Sequence, residues 1–273
     1  MSNTLSRIER LFVQTKRARI HVAMIGSGET LLLLHQTPRS WDEFRDVLPL
    51  LGQRYRAIAM DTVGFGDSDA LPAGEDSIES WAGCALDLLD ELGVANAALV
   101  GHHTGSAIAI EMAAARPERV RALVLSAPPY VDAARRAAVA GKKKTIDDAA
   151  VRSDGGHLLE LWQMRQAFYP ADDSELLDRF MVDALKAGRL AAEGHRVVNR
   201  YVMETRLPLV RCPTLVISPT ADPHAHPVAS RVAAAIAGAS LIEIPGGMVP
   251  LPDQMPQTFA STTLSFLDRA LRT

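Results

Sequence analysis

The fold is decided by residues 97–115, AALVGHHTGSAIAIEMAAA. The apolar start of this stretch is typical of a buried strand, and the small and apolar residues from Thr104 onward indicate a buried helix. Between them, Gly101-His102-His103-Thr104-Gly105 has the form Gly-x-nucleophile-x-Gly. Small outer residues in this form allow a sharp turn that lifts the middle side chain above the sheet. We therefore expect His103 to project from a strand-to-helix turn.

The rest of the chain alternates apolar runs with helical patterns, as in a parallel sheet covered by helices on both faces. The predicted strands are LFVQ from residue 11, ARIHVAMI from 18, TLLLLH from 30, YRAIAMD from 55, AALVGH from 97, RALVLSA from 121, TLVISP from 214 and SLIEIP from 240. Helices are predicted at 77–92, 104–115 and 259–271.

The alternation breaks once, where only helical patterns occur over about 80 residues. We expect a core domain made of residues 1–128 and 209–273, with a helical cap insertion at 129–208. Such an insertion would cover the carboxyl ends of the strands, where open α/β sheets place their sites.

Composition limits the classes of partner. The 273 residues are 48% hydrophobic and 22% charged, with a net charge of −3, as in an ordinary globular protein. The acidic balance gives no cationic field for nucleic acid. The apolar runs fall far short of the ~18 residues of a membrane span, and the N-terminus lacks a secretory pattern. We expect a cytoplasmic protein with a small-molecule substrate, and leave the oligomeric state open, a homodimer included.

Four motifs in order resemble those of the α/β-hydrolase superfamily. His35-Gln36-Thr37-Pro38 is similar to its His-Gly-x-Pro oxyanion-loop segment, and residues 61–68, DTVGFGDS, match Asp-x-x-Gly-x-Gly-x-Ser. RPERVRALVLSAPP at 116–129 and the turn around His103 complete the series. The resemblance covers nearly the whole chain and implies an α/β-hydrolase fold, with an eight-stranded, mostly parallel sheet flanked by helices and a helical cap.

The catalytic positions depart from the family at two places. His103 occupies the position where the family has Ser, Asp or Cys, and Met248 in PGGMVP stands where its catalytic histidine belongs. Asp222, in LVISPTADP, matches the acid position. Ser106 lies inside the helix, where we do not expect it to face the pocket. Acyl-serine chemistry needs a hydroxyl and an imidazole at these positions, so the sequence argues against a classical serine esterase.

The two replacements suggest a relocated dyad. An imidazole is longer than a serine side chain, and Met248 leaves the usual histidine position without a base, so His103 could reach Asp222. A carboxylate partner would fix the tautomer of His103 and raise its basicity. The hypothesis is a general base that acts on water or on a substrate C–H or O–H, in a hydrolase for a small, largely apolar substrate.

The resemblance also implies an oxyanion hole formed by the backbone N–H groups of Thr104 and Gln36. Gln36 replaces the usual glycine, and its amide would add a donor or narrow the entrance. A base with such a hole also suits a cofactor-independent lyase, decarboxylase or oxygenase. A ligand-binding member without turnover is the third alternative, since two triad positions are substituted.

The remaining candidates have structural and functional interpretations. The aromatic residues are either a substrate pocket or the cap's own core, and several imidazoles invite a metal site but lack ligand spacing. We expect no metal, and no cofactor, because Gly64-Phe65-Gly66 lacks the third glycine of a dinucleotide site. Asp61 is expected to stabilise a turn. The pocket candidates are His35, His102, Trp41, Trp162, Phe168, Tyr169, His224 and His226.

Overall fold

A single eight-stranded sheet forms the centre of the molecule; the computed structural model describes residues 7–272. The strand order is β1-β2-β4-β3-β5-β6-β7-β8. The first pairings, β1 with β2 and β2 with β4, are antiparallel, and all later ones are parallel. This confirms the predicted fold class. The strands are β1 Glu9–Gln14, β2 Arg19–Ile25, β3 Thr30–Leu34, β4 Arg56–Met60, β5 Ala97–His102, β6 Val120–Ser126, β7 Thr214–Pro219 and β8 Ser240–Ile244.

The helices include the three expected from the sequence. The Ser77 side chain accepts from the Ser80 N–H at 3.0 Å and caps the second helix. The last helix begins three residues before its predicted start, because Pro256 suits the first turn of a helix. The helices are α1 Leu48–Leu51, α2 Ile78–Glu91, α3 Thr104–Ala115, α4 Ala133–Val139, α5 Gly156–Gln166, α6 Ser174–Ala187, α7 Arg189–Arg200, α8 His226–Ala234, α9 Leu251–Gln254 and α10 Pro256–Ala270.

The core has two layers, one on each face of the sheet. Side chains along β3 alternate between them: Leu32 and Leu34 join one cluster, whereas Leu31 and Leu33 join the other. Period-two alternation of a strand places successive side chains on opposite faces. Both faces of β3 are apolar, as expected for a sheet covered by helices on both sides. None of the helices within residues 7–272 has the length and apolar character needed to cross a membrane.

The chain between β6 and β7 forms four α-helices, α4–α7, and two short 3₁₀ helices, Met203–Thr205 and Leu207–Leu209; no strand occurs in this fully described segment. The sequence patterns did not predict α7, whose mid-helix Gly194 weakens a helical interpretation. A Cβ at Gly194 would lie 2.8 Å from the Thr37 side chain and 3.1 Å from that of Phe65. The glycine therefore allows α7 to approach the core closely. The 129–208 boundaries of a separate cap domain remain a prediction.

A buried charge cluster joins the segments that surround the sheet's carboxyl edge. Arg39 is fully buried; its Nε donates to Asp183 Oδ2 of α6 at 2.8 Å, and its Nη1 pairs with Asp253 of α9. Ser40 Oγ donates to Asp183 Oδ1 at 2.8 Å. Because a buried charge is tolerated only with compensating partners, these contacts fix the position of α6 against the core.

Candidate active site

The turn between β5 and α3 has the strained geometry that the sequence predicts. His103 has φ 46° and ψ −109°, a conformation that costs ~1–3 kcal/mol for a residue with a side chain. The flanking glycines are sterically required. A Cβ at Gly101 would lie 2.3 Å from the Gly105 carbonyl oxygen, and one at Gly105 would lie 1.9 Å from the Leu34 oxygen.

His103 and Asp222 are in contact. Nε2 of the imidazole lies 2.8 Å from Oδ2 of the carboxylate, with the His103 side chain 16% exposed and Asp222 buried. Neither atom has a well-aligned hydrogen bond to a described residue, so the contact is close but bent, and its attraction is mainly electrostatic. The structure thus brings together the two residues of the hypothetical dyad.

Asp222 is held as a carboxylate. Its Oδ1 accepts the backbone N–H groups of His224 at 2.8 Å and Ala225 at 3.0 Å. Burial acts to raise the pKa of Asp222, but the nearby His103 and these two N–H groups outweigh burial and lower that pKa well below its usual value. Asp222 can therefore orient and stabilise an imidazolium at neutral pH.

The two residues that could have restored a standard triad are engaged elsewhere. Ser106 is buried, and its hydroxyl donates to the carbonyl oxygens of Gly101 at 2.8 Å and Ser126 at 3.1 Å. The expectation that Ser106 does not serve the site is met. Met248 lies half-buried on the loop after β8, where its backbone N–H donates to Gln254 Oε1 at 2.7 Å. Its thioether cannot act as a general base at neutral pH.

The expected oxyanion hole is only half formed. The backbone N–H of Gln36 donates to Glu43 Oε2 at 2.9 Å, and its side-chain amide donates to Glu43 Oε1 at 2.6 Å. The backbone N–H of Gln36 is therefore not free for an oxyanion in this conformation, contrary to the expectation. The Thr104 N–H has no acceptor among the described residues. The neighbouring Thr37 N–H has only Thr104 Oγ1, at a long 3.3 Å.

A cavity of about 400 Å³ opens in front of His103. Core residues Gln36, Thr37, His103, Thr104 and His224 line one side. The cap side carries polar and cationic side chains beside several apolar ones, which contrasts with the largely apolar substrate that we expected. The residues contributed by the cap are Pro129, Arg135, Val139, Lys142, Thr145, Ile146, Arg165, His195, Val198 and Asn199.

Three cap residues, two of which line this wall, form a second charged group that sequence reasoning missed. Asp147 Oδ2 lies 2.8 Å from His195 Nε2, and Asp147 Oδ1 accepts from Arg165 Nε at 2.7 Å. Burial acts to raise the pKa of Asp147, but Arg165 and His195 outweigh burial and hold the pKa well below its usual range. Burial lowers the pKa of His195 despite Asp147. The sequence shows only single charged residues in the cap, with Asp147 in a loop and Arg165 and His195 in helices, and such residues do not reveal their partners.

Three predicted pocket histidines have structural roles instead. His35 Nδ1 lies 2.7 Å from the Gln36 carbonyl oxygen, and its Nε2 accepts the Thr62 N–H at 2.9 Å. His102 is buried, with Nδ1 3.0 Å from Ser126 Oγ and Nε2 2.8 Å from the Val249 oxygen. His226 Nδ1 lies 2.8 Å from Ser218 Oγ. None of the three is among the residues lining the described cavity.

The predicted aromatic pocket is also mostly cap core. Tyr169 is buried in a cluster with Phe180, and Trp162 and Phe168 pack against that cluster. Trp41 lies in a separate cleft. Phe168 also contacts a residue of the cavity wall, with its ring centroid 4.8 Å from that of His224. Most of these aromatic residues therefore form the core of the cap and not a substrate pocket, because a small cap needs its own apolar core.

One His/Asp group is spaced closely enough to contact a metal ion. In the described chain, His21, Asp61 and Asp67 bring ligand atoms within 4.8 Å of one another. Asp61 already accepts the N–H groups of Trp41 at 2.6 Å and Asp67 at 2.8 Å, so it stabilises the turn as expected. Arg10 donates to Asp67 at 2.8 Å. The group is internally compensated and lies outside the cavity.

The burial of His102 leads to a prediction about acid stability. Burial lowers the pKa of His102 well below its usual value, so below pH ~6.5 the unfolded chain binds a proton that the folded protein does not. The neutral His102 ring makes its full contribution to stability above that pH, and the contribution is lost as the pH falls. We expect the stability deficit of His102→Gln relative to the wild type to narrow by about 2 kcal/mol between pH 7.5 and pH 5. Urea unfolding of both proteins at both pH values measures the deficit. A deficit that is the same at the two pH values would contradict a neutral, buried His102 ring.

Comparisons with known proteins agree with this architecture. The profile of a family described as alpha/beta hydrolase fold matches residues 29–235. "Epoxide hydrolase 2" of Siraitia grosvenorii is 41% identical over 122 residues, which is 44% of this chain and 39% of that protein. "Bifunctional epoxide hydrolase 2" of Sus scrofa is 36% identical over 115 residues, 41% of this chain and 21% of that protein. The matches thus span less than half the length of these relatives.

Solved structures resemble the chain over most of its length. The enol-lactonase from Burkholderia xenovorans LB400 has a TM-score of 0.78 and 21% identity, covering 94% of this chain and 100% of that one. An epoxide hydrolase from Vigna radiata has a TM-score of 0.78 and 19% identity, covering 98% and 99%. At such identities the likeness describes the fold. With the profile spanning three quarters of its length, the chain belongs to the alpha/beta hydrolase fold family.

Proposed function

We propose that the protein is a hydrolase in which His103, paired with Asp222, activates water against a small organic ester or lactone. The observation that carries the proposal is the 2.8 Å contact between His103 Nε2 and Asp222 Oδ2, at the strained turn and on the cavity wall. A strained backbone directs this imidazole into the cavity, and a buried carboxylate pairs with it, so His103 has the position and the partner of a general base.

The two ring nitrogens of His103 have different roles in the proposed reaction: Nε2 contacts Asp222, and Nδ1 accepts the proton. With the proton on Nε2, the nitrogen that contacts Asp222, the lone pair is on Nδ1, which has no hydrogen-bond partner among residues 7–272. Nδ1 takes a proton from water while the water oxygen bonds to the carbonyl carbon, and the carbonyl electron pair moves onto oxygen. When the tetrahedral intermediate collapses, the carbon–oxygen bond to the leaving group breaks, and the alkoxide takes the proton back from Nδ1.

The developing oxyanion needs donors in a site shielded from water. The Thr104 N–H is available, and the Thr37 N–H is the second donor on the same cavity wall. Because its 3.3 Å contact with Thr104 Oγ1 is long, exchanging that acceptor for an oxyanion costs little. Thr37 thus replaces Gln36 in the proposed oxyanion hole.

Epoxide opening is the second candidate, favoured by the local identity to epoxide hydrolases. In that reaction the activated water attacks an epoxide carbon, and the ring carbon–oxygen bond breaks to give an alkoxide. The alkoxide then takes the proton held by His103. Assays of 4-nitrophenyl acetate beside styrene oxide distinguish the two substrate classes.

Asp222→Asn tests the proposed dyad. Asparagine keeps an Oδ1 acceptor for the N–H groups of His224 and Ala225, but it replaces the charged acceptor that faces His103 with an amide N–H₂ group. A lost charge-assisted contact of about 2 kcal/mol corresponds to a kcat about 30-fold lower. The measurement is ester turnover by chelator-treated protein, with Asp268→Asn on α10 as the matched control. Wild-type rates equal to those of buffer alone, or an unchanged rate in Asp222→Asn, would contradict the proposal.

A further inference from the structure

The charges around the cavity are one-sided. Three of its lining residues are cationic, namely Arg135, Lys142 and Arg165, and none of the described lining residues carries a carboxylate. The whole chain nevertheless has a net charge of −3. Concave walls of one sign focus the electrostatic potential and attract ligands of the opposite sign. The charged side chains that line the cavity are thus cationic, although the protein is acidic.

Arg165 does not account for this excess, because Asp147 neutralises it from behind through the 2.7 Å contact. Arg135 differs. It is half-buried at the end of the cavity formed by α4, and its Nε donates to Asn199 Oδ1 at 3.0 Å. Its two terminal amino groups have no partner in the described chain, and it forms no ion pair there.

The nearest acid on its own helix cannot serve Arg135. Asp132 Oδ1 accepts the backbone N–H of Arg135 at 2.8 Å as the cap of α4, and Asp132 Oδ2 pairs with Arg231 at 2.8 Å. Burial lowers the pKa of Arg135 even with Asp132 nearby. A half-buried guanidinium without a carboxylate is costly unless a ligand supplies the missing anion.

Resting on the proposed function, we propose that Arg135 and Asn199 bind an oxyanion group of the substrate, a carboxylate or a phosphate, while His103 activates water at the other end of the cavity. The guanidinium fork fits either group through two parallel hydrogen bonds. Lys142 adds charge at the rim, since it also lines an adjoining groove of about 570 Å³. The substrate class is an ester or lactone bearing an anion.

A matched substrate pair tests the assignment. Mono-4-nitrophenyl glutarate carries a free carboxylate, and its methyl ester is the neutral counterpart. We expect Arg135→Gln to lower kcat/KM for the anionic ester about 30-fold and for the neutral ester by less than about 3-fold. Asn199→Asp, which gives Arg135 an internal carboxylate, should have the same selective effect. Arg116→Gln, at the far end of α3, is the control and should leave both rates unchanged.

Binding gives a readout that does not depend on turnover. Calorimetric titration with glutarate and with inorganic phosphate should detect saturable binding to the wild type and to His103→Ala, but not to Arg135→Gln. The tighter of the two ligands identifies the anion. The proposed anion site is wrong if neither ligand binds the wild type, or if Arg135→Gln lowers kcat/KM for both esters equally. Glutarate binding without ester turnover would instead keep this site and reject the hydrolase proposal.

Discussion

Replacement of His103 by alanine should lower ester turnover about 10²- to 10⁴-fold, the contribution typical of a positioned general base. Alanine removes the only imidazole in contact with Asp222 in the described chain, and Met248 cannot replace it as a base. The measurement is kcat for 4-nitrophenyl acetate with chelator-treated protein. His157→Ala, which removes a histidine of α5 outside the cavity, is the matched control and should retain the wild-type rate.

Added imidazole separates a chemical role of His103 from a structural one. The alanine variant leaves space for a ring beside Asp222, so imidazole in solution should restore part of the lost rate as its concentration increases. A structural defect would not respond. Equal, near-background rates in the wild type and the variant would exclude simple ester hydrolysis and favour a lyase, an oxygenase or a ligand-binding protein of this fold.

The second large effect is on stability. Arg39→Met should lower the free energy of unfolding by about 3–5 kcal/mol. It leaves Asp183 buried without its cation and leaves Asp253 paired with Arg179 alone, at 2.8 Å. Burial raises the pKa of Asp253 even beside Arg39, so protonation will absorb part of the penalty. Urea unfolding at pH 7.5 measures the change.

The matched control for Arg39 is Arg54. It pairs with Asp268 at 2.9 Å, and its side chain is 49% exposed, so Arg54→Met should cost less than about 1 kcal/mol. Equal losses in the two variants would show that Arg39 is no more important than a surface charge. A large loss confined to Arg39→Met would establish the buried cluster as a principal link between α6 and the core.

Local sequence patterns predicted the sheet and the strained turn because their causes are local. Apolar runs form buried strands wherever helices cover both faces, and Gly101 and Gly105 are needed for backbone contacts within the turn itself. The same holds for Ser106, whose place one turn into α3 already excludes it from the pocket. The His103–Asp222 contact was predicted from family positions, not from local pattern.

The predictions that failed concern side chains whose partners are distant in sequence, or groups that a second partner already binds. Gln36 loses its free N–H because Glu43, seven residues later, turns back and accepts it. The cationic cap wall depends on how α4 and α7 dock, and no single segment encodes that arrangement. An arginine such as Arg135 in an amphipathic helix has the same sequence signature whether it faces solvent or substrate.

The position of Arg39 also restricts how ligands can enter. Moving α6 away from the core would separate Arg39 from Asp183 in a region closed to water, and such a step is slow because no solvent compensates the parted charges. By contrast, α4 is held on its outer side by more accessible ion pairs, such as Arg231 with Asp132. We therefore expect substrate and product to enter and leave through a movement of α4 while α6 stays fixed. The helix that moves would then also carry Arg135, the residue proposed to bind the anion.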